Sequence, residues 1–472
     1  MIRLTRSFSF FSLILMAGSL VHADDRPNLL FVVADDQAEW AMGCSGCNEA
    51  RTPHMDRLSR EGVRLTNCFT PTPVCSPSRV AILTSRYGTE MGIYDWLSPE
   101  KEPQHGLDPA TVAWPRILSA AGYRTGLIGK WHLGLQEQFT PDKFGYQHFM
   151  GFLGGGCPNR DPELIVQGKK QKTKGFVVDL LVDDALEFLK QEPGRPFALS
   201  VHFREPHAPY TPLPPGEAEW SATVVPKIPN PEFPNLNVDR VSQLTKDYLG
   251  SVSAVDRNLG RLLEELDRLK LADNTIVIFT SDHGYNIGHH GVLHKGNGSW
   301  ILTRNPPAAP NIPAGLRPNM FDTSLRVPAL IRWPGRIPAA KTIDRTITHL
   351  DWMPMILSAT GTTLPANTLI HGKNILPLIT GSGPLDRSDD LYSEFSVQHT
   401  MRADMRSYRT GRWKLTQDFL NPGRDELYDL QADIGETTNL ADSDREDART
   451  ARQHLSERIR TRMRELHDPF LK

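Results

Sequence analysis

The chain has 472 residues (52.9 kDa), 39% hydrophobic and 23% charged, a balance that buries a large core and excludes a disordered or collagen-like polymer. Its 53 Lys and Arg against 55 Asp and Glu leave a formal charge of −2, which excludes the broad basic field of a nucleic-acid binder. The length suits one large α/β domain with a smaller companion as well as three ordinary domains.

Residues 1–23, MIRLTRSFSFFSLILMAGSLVHA, begin with Arg3 and Arg6, continue as an apolar stretch over Phe8–Leu20 and end in Val21-His22-Ala23. This is the layout of a secretory signal peptide, too short and wrongly flanked for a stable membrane anchor. Asp24-Asp25-Arg26-Pro27 breaks the run where cleavage would fall, and no later segment approaches the ~18 unbroken apolar residues of a span. The expectation is a periplasmic or secreted protein with no stable membrane insertion.

Asn28–Ala34 (NLLFVVA) reads as a strand covered on both faces, and it runs directly into Asp35-Asp36. Cys44 and Cys47 have a zinc-like spacing, but no second pair completes four ligands, so a disulfide or two free thiols is expected. With Cys68, Cys75 and Cys157 the cysteines number five, which leaves at least one without an intramolecular partner in an oxidising compartment. Pro73–Tyr87 (PVCSPSRVAILTSRY) sets Cys75 just before a proline suited to a helix first turn, followed by the helix-compatible run Arg79–Leu83. An anion there feels the helix amino terminus and the Arg79 guanidinium, which suits an activated thiol; a buried structural cysteine is the rival reading.

Three further strands end in ionisable residues. Thr125–Ile128 leads to Gly129-Lys130-Trp131-His132, Phe197–Phe203 to Arg204-Glu205-Pro206-His207, and Thr275–Thr280 to Ser281-Asp282-His283-Gly284. Helical patterns over Val178–Lys190 and Leu244–Lys270 lie between them, and this alternation predicts an α/β fold with a large, mainly parallel sheet flanked by helices. Ligands gather at the carboxyl ends of such strands. Singly, Lys130 and Lys295 read as surface lysines, His132 and His207 as satisfied loop histidines, and Arg79 as half of an ion pair. Together they make a site. Asp35, Asp36 and Asp282 would concentrate negative charge that is tolerable only around a cation, calcium or magnesium by their oxygen donors. His283 as a further ligand leaves manganese open.

His289, His290 and His294 read as pocket lining or as a polar loop and stay outside the catalytic set. Gly154-Gly155-Gly156 reads as a loop, Asn297-Gly298-Ser299 as a tight turn, and Gly296–Met320 as an elaborated loop before an Arg326-Val327-Pro328 strand; that loop and Gly92–Trp96 are expected to form the pocket wall that governs recognition. Beyond the helix around Asp351–Thr360 the pattern changes. Leu391–Phe395, Met405–Thr410 and Arg412–Thr416 read as short strands, and Ser443–Leu466 as a final amphipathic helix that Ser443 and Glu446 open as a capping box. The expected organisation is a signal peptide over 1–23, a catalytic α/β domain over 24–379 and a C-terminal α+β subdomain over 380–472.

Cys75-Ser76-Pro77-Ser78-Arg79 followed by Leu83-Thr84 resembles the signature of the formylglycine-dependent sulfatases of the alkaline phosphatase superfamily. The resemblance extends to Asp35-Asp36, Gly129-Lys130-Trp131-His132, Pro206-His207 with Pro209-Tyr210, Asp282-His283-Gly284, Lys295, and Leu427-Tyr428-Asp429-Leu430 with Asn439-Leu440. Two positions depart from it: Ser85 stands where many members have glycine, and His283 where many have asparagine. The resemblance implies an alkaline phosphatase-like fold and oxidation of Cys75 to formylglycine (3-oxoalanine) by a formylglycine-generating or other sulfatase-maturing enzyme. It implies a metal held by Asp35, Asp36, Cys75, Asp282 and His283, and a catalytic set of Cys75, Arg79, Lys130, His132, His207 and Lys295. In the implied reaction a hydroxyl of the hydrated aldehyde attacks sulfur, His207 or Lys295 protonates the departing alcohol, and His132 acts as the base that releases sulfate. The expected partner is a sulfated small molecule or saccharide. A phosphonate monoester or phosphodiester hydrolase, prompted by His283, and a non-catalytic binding protein of the same fold are the alternatives.

Overall fold

The structure is a computed structural model that describes residues 26–471, and the leader expected over 1–23 lies outside the described residues. Strand Asn28–Ala34 shows how the main sheet is covered. Leu30, Val32 and Ala34 enter one core cluster while Leu29, Phe31 and Val33 enter another, and all seven residues are buried. A strand with no wet face belongs in a sheet with helices on both sides. Helices Pro53–Glu61, Val177–Lys190 and Val238–Arg268 supply the first core, and Trp114–Ala120 and Trp352–Ala359 the second.

The sheet has ten strands. Their order is Lys341–Ile343, Val63–Leu65, Ala329–Arg332, Thr275–Ser281, Asn28–Ala34, Phe197–His202, Arg124–Lys130, His148–Phe152, Glu163–Val166 and Lys169–Lys172. The run from Thr275–Ser281 to His148–Phe152 is parallel, so the four strand ends singled out in the sequence lie side by side. Ala329–Arg332 joins antiparallel on one side, and the hairpin Glu163–Val166 with Lys169–Lys172 closes the other. The fold is therefore the expected α/β architecture.

Several local expectations are corrected. The long helix begins at Val238, not Leu244, because the Asn237 side chain caps it by accepting the Arg240 N–H at 3.1 Å. The strand expected at Arg326 begins at Ala329, just past Pro328, which has no N–H to give a ladder. Gly296–Met320 is no free loop: Asn297–Trp300 pairs with Val292–His294 on one side and Leu316–Pro318 on the other, and with Asn286–Ile287 beyond Val292–His294 they make a four-stranded antiparallel sheet. Asn297-Gly298-Ser299 is consequently strand, and the turn falls at Lys295-Gly296. A Cβ on Gly298 would lie 2.6 Å from Val292 Cγ1, so this glycine marks a close strand approach. The five cysteines are all free.

The C-terminal subdomain is an antiparallel sheet of Leu391–Val397, Ala403–Arg409, Trp413–Asp418 and Glu426–Asp429, the last unpredicted. Helix Glu446–Glu465 packs on it through Ala448, Leu455, Ile459 and Met463. The capping box expected from Ser443 does not form. Arg445 is the N-cap, and Ser443 Oγ is taken up in a local turn as acceptor for the Arg445 N–H at 3.3 Å.

Candidate active site

Parallel pairing in the register Ala34 to Ser281 sets Asp35 and Asp36 beside Asp282 and His283. Asp36 leaves its strand at a φ of 70°, its N–H donates to Asp282 Oδ1 at 3.2 Å, and the Asp282 N–H donates to the Ala34 carbonyl at 3.1 Å. Cys75 opens helix Cys75–Thr84, with extended Val74 as its N-cap. Its Sγ lies 3.8 Å from Asp35 Oδ1 and 3.5 Å from His283 Nε2, and it accepts from Lys295 Nζ at 3.2 Å.

One helical turn on, Arg79 donates through Nε and Nη2 to Asp282 Oδ2 at 3.2 and 3.0 Å, and through Nη1 to the Lys130 carbonyl at 3.2 Å. Ser78 Oγ donates to the Asp282 carbonyl. Lys130 Nζ is 2.6 Å from Asp35 Oδ2, Lys295 Nζ is 2.6 Å from Asp36 Oδ1, and His207 Nε2 is 4.0 Å from Asp36 Oδ2. His132 interacts with the Cys75 sulfur. The structure thus brings together every residue the sequence singled out as catalytic or metal-binding.

The hydrogen bonds fix which ring nitrogens carry protons. His283 Nδ1 faces the Gly284 carbonyl at 3.0 Å, and a carbonyl can only accept, so Nδ1 bears the hydrogen. Nε2 faces Asp36 Oδ1 and Asp282 Oδ1, 3.2 and 3.4 Å away; burial opposes a charge on the ring, but Asp282 and Asp36 raise its proton affinity, so Nε2 keeps a hydrogen that a cation at this place would displace. That is the arrangement of a metal-ligating histidine with its other nitrogen held by a carbonyl. Asp36 Oδ2 is buried and has no hydrogen-bond partner among the described residues. Asp35, Cys75, Asp282 and His283 offer donor atoms within 4.8 Å of one another, as do Asp35, Asp36, Cys75 and His207. These residues fit a divalent cation.

Electrostatics agree. Burial raises the Asp35 carboxyl well above the usual range; Lys130 opposes this, and Asp282, Cys75 and Asp36 add to it. Burial acts the same way on Asp282, but His283, Arg79 and Lys130 outweigh it and hold that carboxyl far down. At Cys75 the penalty of burial is overcome by Lys130 and Lys295, so the thiol is held well below its ordinary value. His132 donates Nε2–H to the Leu97 carbonyl at 3.2 Å and keeps a bare, buried Nδ1, and burial lowers the ring's proton affinity.

The cluster opens into a cavity of about 560 Å³. Some of its walls lay outside the sequence reading. Arg204 braces the His207 loop by donating to the Cys157, Ala208 and Pro209 carbonyls at 3.2, 3.0 and 2.9 Å. Gly155 packs on His132, where a Cβ would lie 2.8 Å from Cε1, so the triple glycine is part of the site. Trp96 and Asn297 also line the cavity, from Gly92–Trp96 and Gly296–Met320, the two segments expected to form its wall. His294 lines it too, whereas His289 packs on Trp40 and His290 on Phe321.

Paired carboxylates and cations around a buried thiol at a helix start, set at the carboxyl edge of a parallel sheet, form the kind of polar cleft in which α/β enzymes bind ligands. The family model described as Sulfatase matches residues 27–362, and the chain belongs to the sulfatase family, the sulfuric ester hydrolases of the alkaline phosphatase superfamily. A second model, N-sulphoglucosamine sulphohydrolase, C-terminal, matches residues 317–466. The chain is 27% identical to N-acetylglucosamine-6-O-sulfatase of Bacteroides thetaiotaomicron, covering 88% of this chain and 82% of that one. It is 27% identical to human N-acetylgalactosamine-6-sulfatase over 84% and 74% of the two chains. Among solved structures, a protein in complex with its substrate D-glucosamine-2-N,6-O-disulfate superposes with a TM-score of 0.78 at 24% identity, over 94% of this chain and 99% of that one. Phosphonate monoester hydrolase of Agrobacterium radiobacter shares the fold, with a TM-score of 0.73 at 20% identity over 93% and 96%.

Proposed function

We propose that this chain is an exported sulfatase that hydrolyses a sulfate ester on a carbohydrate, with Cys75 converted to formylglycine by a sulfatase-maturing enzyme. A divalent cation would be held by Asp35, Asp36, Asp282, His283 and residue 75. Calcium suits the carboxylate oxygens; magnesium is the second choice, and the His283 nitrogen keeps manganese in play. The observation that carries the reading is the convergence of these carboxylates, two lysines and Arg79 on position 75 at the cavity floor. The sugar half is supported by relatives named for N-acetylglucosamine and N-acetylgalactosamine sulfates. Export is supported by the 1–23 pattern, and no helix among the described residues is long and apolar enough to cross a membrane.

When bound, the cation supplies charge neutralisation and the aldehyde hydrate at position 75 supplies the nucleophile. The chain's own residues do the rest. Three carboxylates are matched by Lys130, Lys295 and Arg79 in direct ion pairs, so a divalent ion gives the site a positive surplus for an anionic sulfate. Lys130 and Lys295 stand ready to hold non-bridging oxygens, and Arg79 holds Asp282 in place. His132 offers bare Nδ1 as a proton acceptor in the ring that contacts residue 75. Lys295, on the cavity side, is the donor to the departing alcohol oxygen, because His207 spends its Nδ1–H on the Ala208 carbonyl and turns a bare Nε2 toward Asp36.

The test is release of inorganic sulfate from a panel of sulfated monosaccharides by protein made in a host that performs the oxidation. Turnover lost in Cys75→Ala, with formylglycine found by mass spectrometry of the peptide spanning residue 75, is the expected result. A matched phosphonate monoester cleaved faster than every sulfate would establish the alternative that His283 prompts. An unmodified thiol and no turnover in a competent host would leave a binding protein.

A further inference from the structure

Three imidazoles line the cavity, and their hydrogen bonds give them different tautomers. His132 spends its N–H on Leu97, as above. His207 Nδ1 faces the Ala208 carbonyl at 2.7 Å, so it carries the hydrogen and leaves Nε2 bare. His294 is the reverse case. Its Nδ1 lies 2.9 Å from the Tyr285 hydroxyl, which itself accepts a hydrogen bond from the Tyr210 hydroxyl at 2.8 Å. The Tyr285 hydrogen is then free to donate, and among the described residues the other hydrogen-bond partner of that hydroxyl is His294 Nδ1. A hydrogen on Nδ1 would strand the Tyr285 hydrogen in a fully buried place, at the cost of an unmade hydrogen bond. Nδ1 is therefore the acceptor, and Nε2 carries the hydrogen.

The arrangement is held from several sides. Tyr285 stacks on Tyr248 with centroids 5.4 Å apart and planes 8° from parallel. Asn286 Nδ2 donates to the His294 carbonyl at 2.8 Å. His294 itself sits at a φ of 81°, a conformation that non-glycine residues adopt only where the surroundings impose it. Burial keeps the ring neutral, pushed down to about 4. A polar loop histidine needs none of this.

We propose that His294 Nε2–H is a fixed, neutral hydrogen-bond donor that reads an acceptor oxygen on the alcohol half of the substrate, a hydroxyl or ring oxygen beside the sulfate ester. This rests on the sulfatase reading and names the part of the substrate that a simple sulfate ester lacks. Tyr285 is a positioning residue that sets the tautomer.

The experiment compares kcat/KM for a sulfated monosaccharide with that for an aryl sulfate bearing no neighbouring acceptor. In His294→Ala the sugar-to-aryl ratio is expected to fall roughly tenfold, the effect of one lost hydrogen bond. His294→Gln, which keeps an N–H, restores much of it, and Tyr285→Phe lowers it with no further effect in the His294→Ala background. Nitrogen-15 NMR of the wild-type protein should give the Nε2–H pattern for His294, with a tautomer mixture in Tyr285→Phe. An unchanged ratio in active His294→Ala, or an Nδ1–H tautomer in the wild type, overturns the proposal. Wild-type protein that releases sulfate from neither compound overturns the sulfatase reading instead.

Discussion

In the cluster that fastens the C-terminal sheet to the main domain, Lys414 Nζ lies 2.8 Å from Asp322 Oδ1 and 2.5 Å from Glu436 Oε1. Asp322 Oδ2 accepts from Arg409 and Arg326 at 3.1 and 3.2 Å, and Glu436 Oε2 takes the Asp322 N–H at 2.6 Å. Each carboxylate oxygen there has a partner. The active-site cluster uses the same residue types at the same depth, yet it leaves Asp36 Oδ2 bare, crowds one histidine nitrogen against two carboxylates and ends on a sulfur at a cavity floor. Buried charge alone marks neither region as functional. What separates them is the remainder: the first network satisfies its own carboxylate oxygens, while the second leaves one unsatisfied and opens on a cavity, which is where the proposed cation and sulfate ester would sit.

The comparison breaks most decisively at position 75. Cys75→Ala should lower sulfate release by about 10³-fold or more while the unfolding midpoint stays near the wild-type value, since the remaining groups keep their ion pairs. Lys414→Met should do the opposite. It leaves Asp322 and Glu436 buried with their shared cation gone, at a cost of about 3–5 kcal/mol in urea unfolding. Comparable loss of stability in both variants would erase the distinction.

Glu394, in the same C-terminal sheet, sharpens it. Its Oε1 accepts the Thr89 N–H at 2.8 Å, its Oε2 has no partner, and burial, opposed by Arg406, pushes the carboxyl up to about 7. A lone buried carboxyl answers an empty oxygen by taking a proton, which three converging carboxylates cannot all do. Because the folded value lies above the unfolded one, near ~4.3, this contribution is fully present below that value and is lost as pH rises through about 7. Wild-type stability should therefore lose up to about 3 kcal/mol from this group between those pH values. Urea midpoints measured against pH should flatten in Glu394→Gln. The cation gives the matching test in the active site: calcium at 100 times its Kd should stabilise wild type by about 2.7 kcal/mol, and Asp36→Asn should lose most of that gain. An equal gain in the variant would place the ion elsewhere.

Most of the active-site cluster was legible because its members follow a strand or open a helix that the sequence announces, whereas Lys295 was marked only by the family resemblance. Asp35 and Asp282 follow unbroken apolar runs, and Cys75 precedes Pro77 at a helix start, so knowing the sheet to be parallel brings them together. The fastening cluster was not legible. Asp322, Lys414 and Glu436 come from a short helix, a strand and a loop, and only the tertiary fold makes them neighbours. Trp96 and His294 were within the expected pocket lining, but the His294 tautomer was not legible, because it is set by Tyr285 through hydrogen bonds that no spacing encodes. Glycine misled in one place for a physical reason, since Gly298 looks like a turn but serves a close approach of strands.

Ser85 offers the smallest and most discriminating test, because it ends the helix that carries Cys75. It adopts the left-handed conformation at a φ of 58°, where glycine is the easier residue. Its hydroxyl donates to the Leu350 carbonyl at 2.6 Å and accepts the Gly372 N–H at 3.0 Å, both from buried residues. Ser85→Gly would relieve ~1 kcal/mol of backbone strain and strand those two groups, each worth ~1 kcal/mol or more, for a net loss of about 1 kcal/mol. Sulfate release should be unchanged, because the amino-terminal end of the helix is pinned separately through Ser78 and Arg79 to Asp282. A loss of activity without a loss of stability would show that the carboxyl end of the helix also aims residue 75, and would join the two regions that the other variants separate.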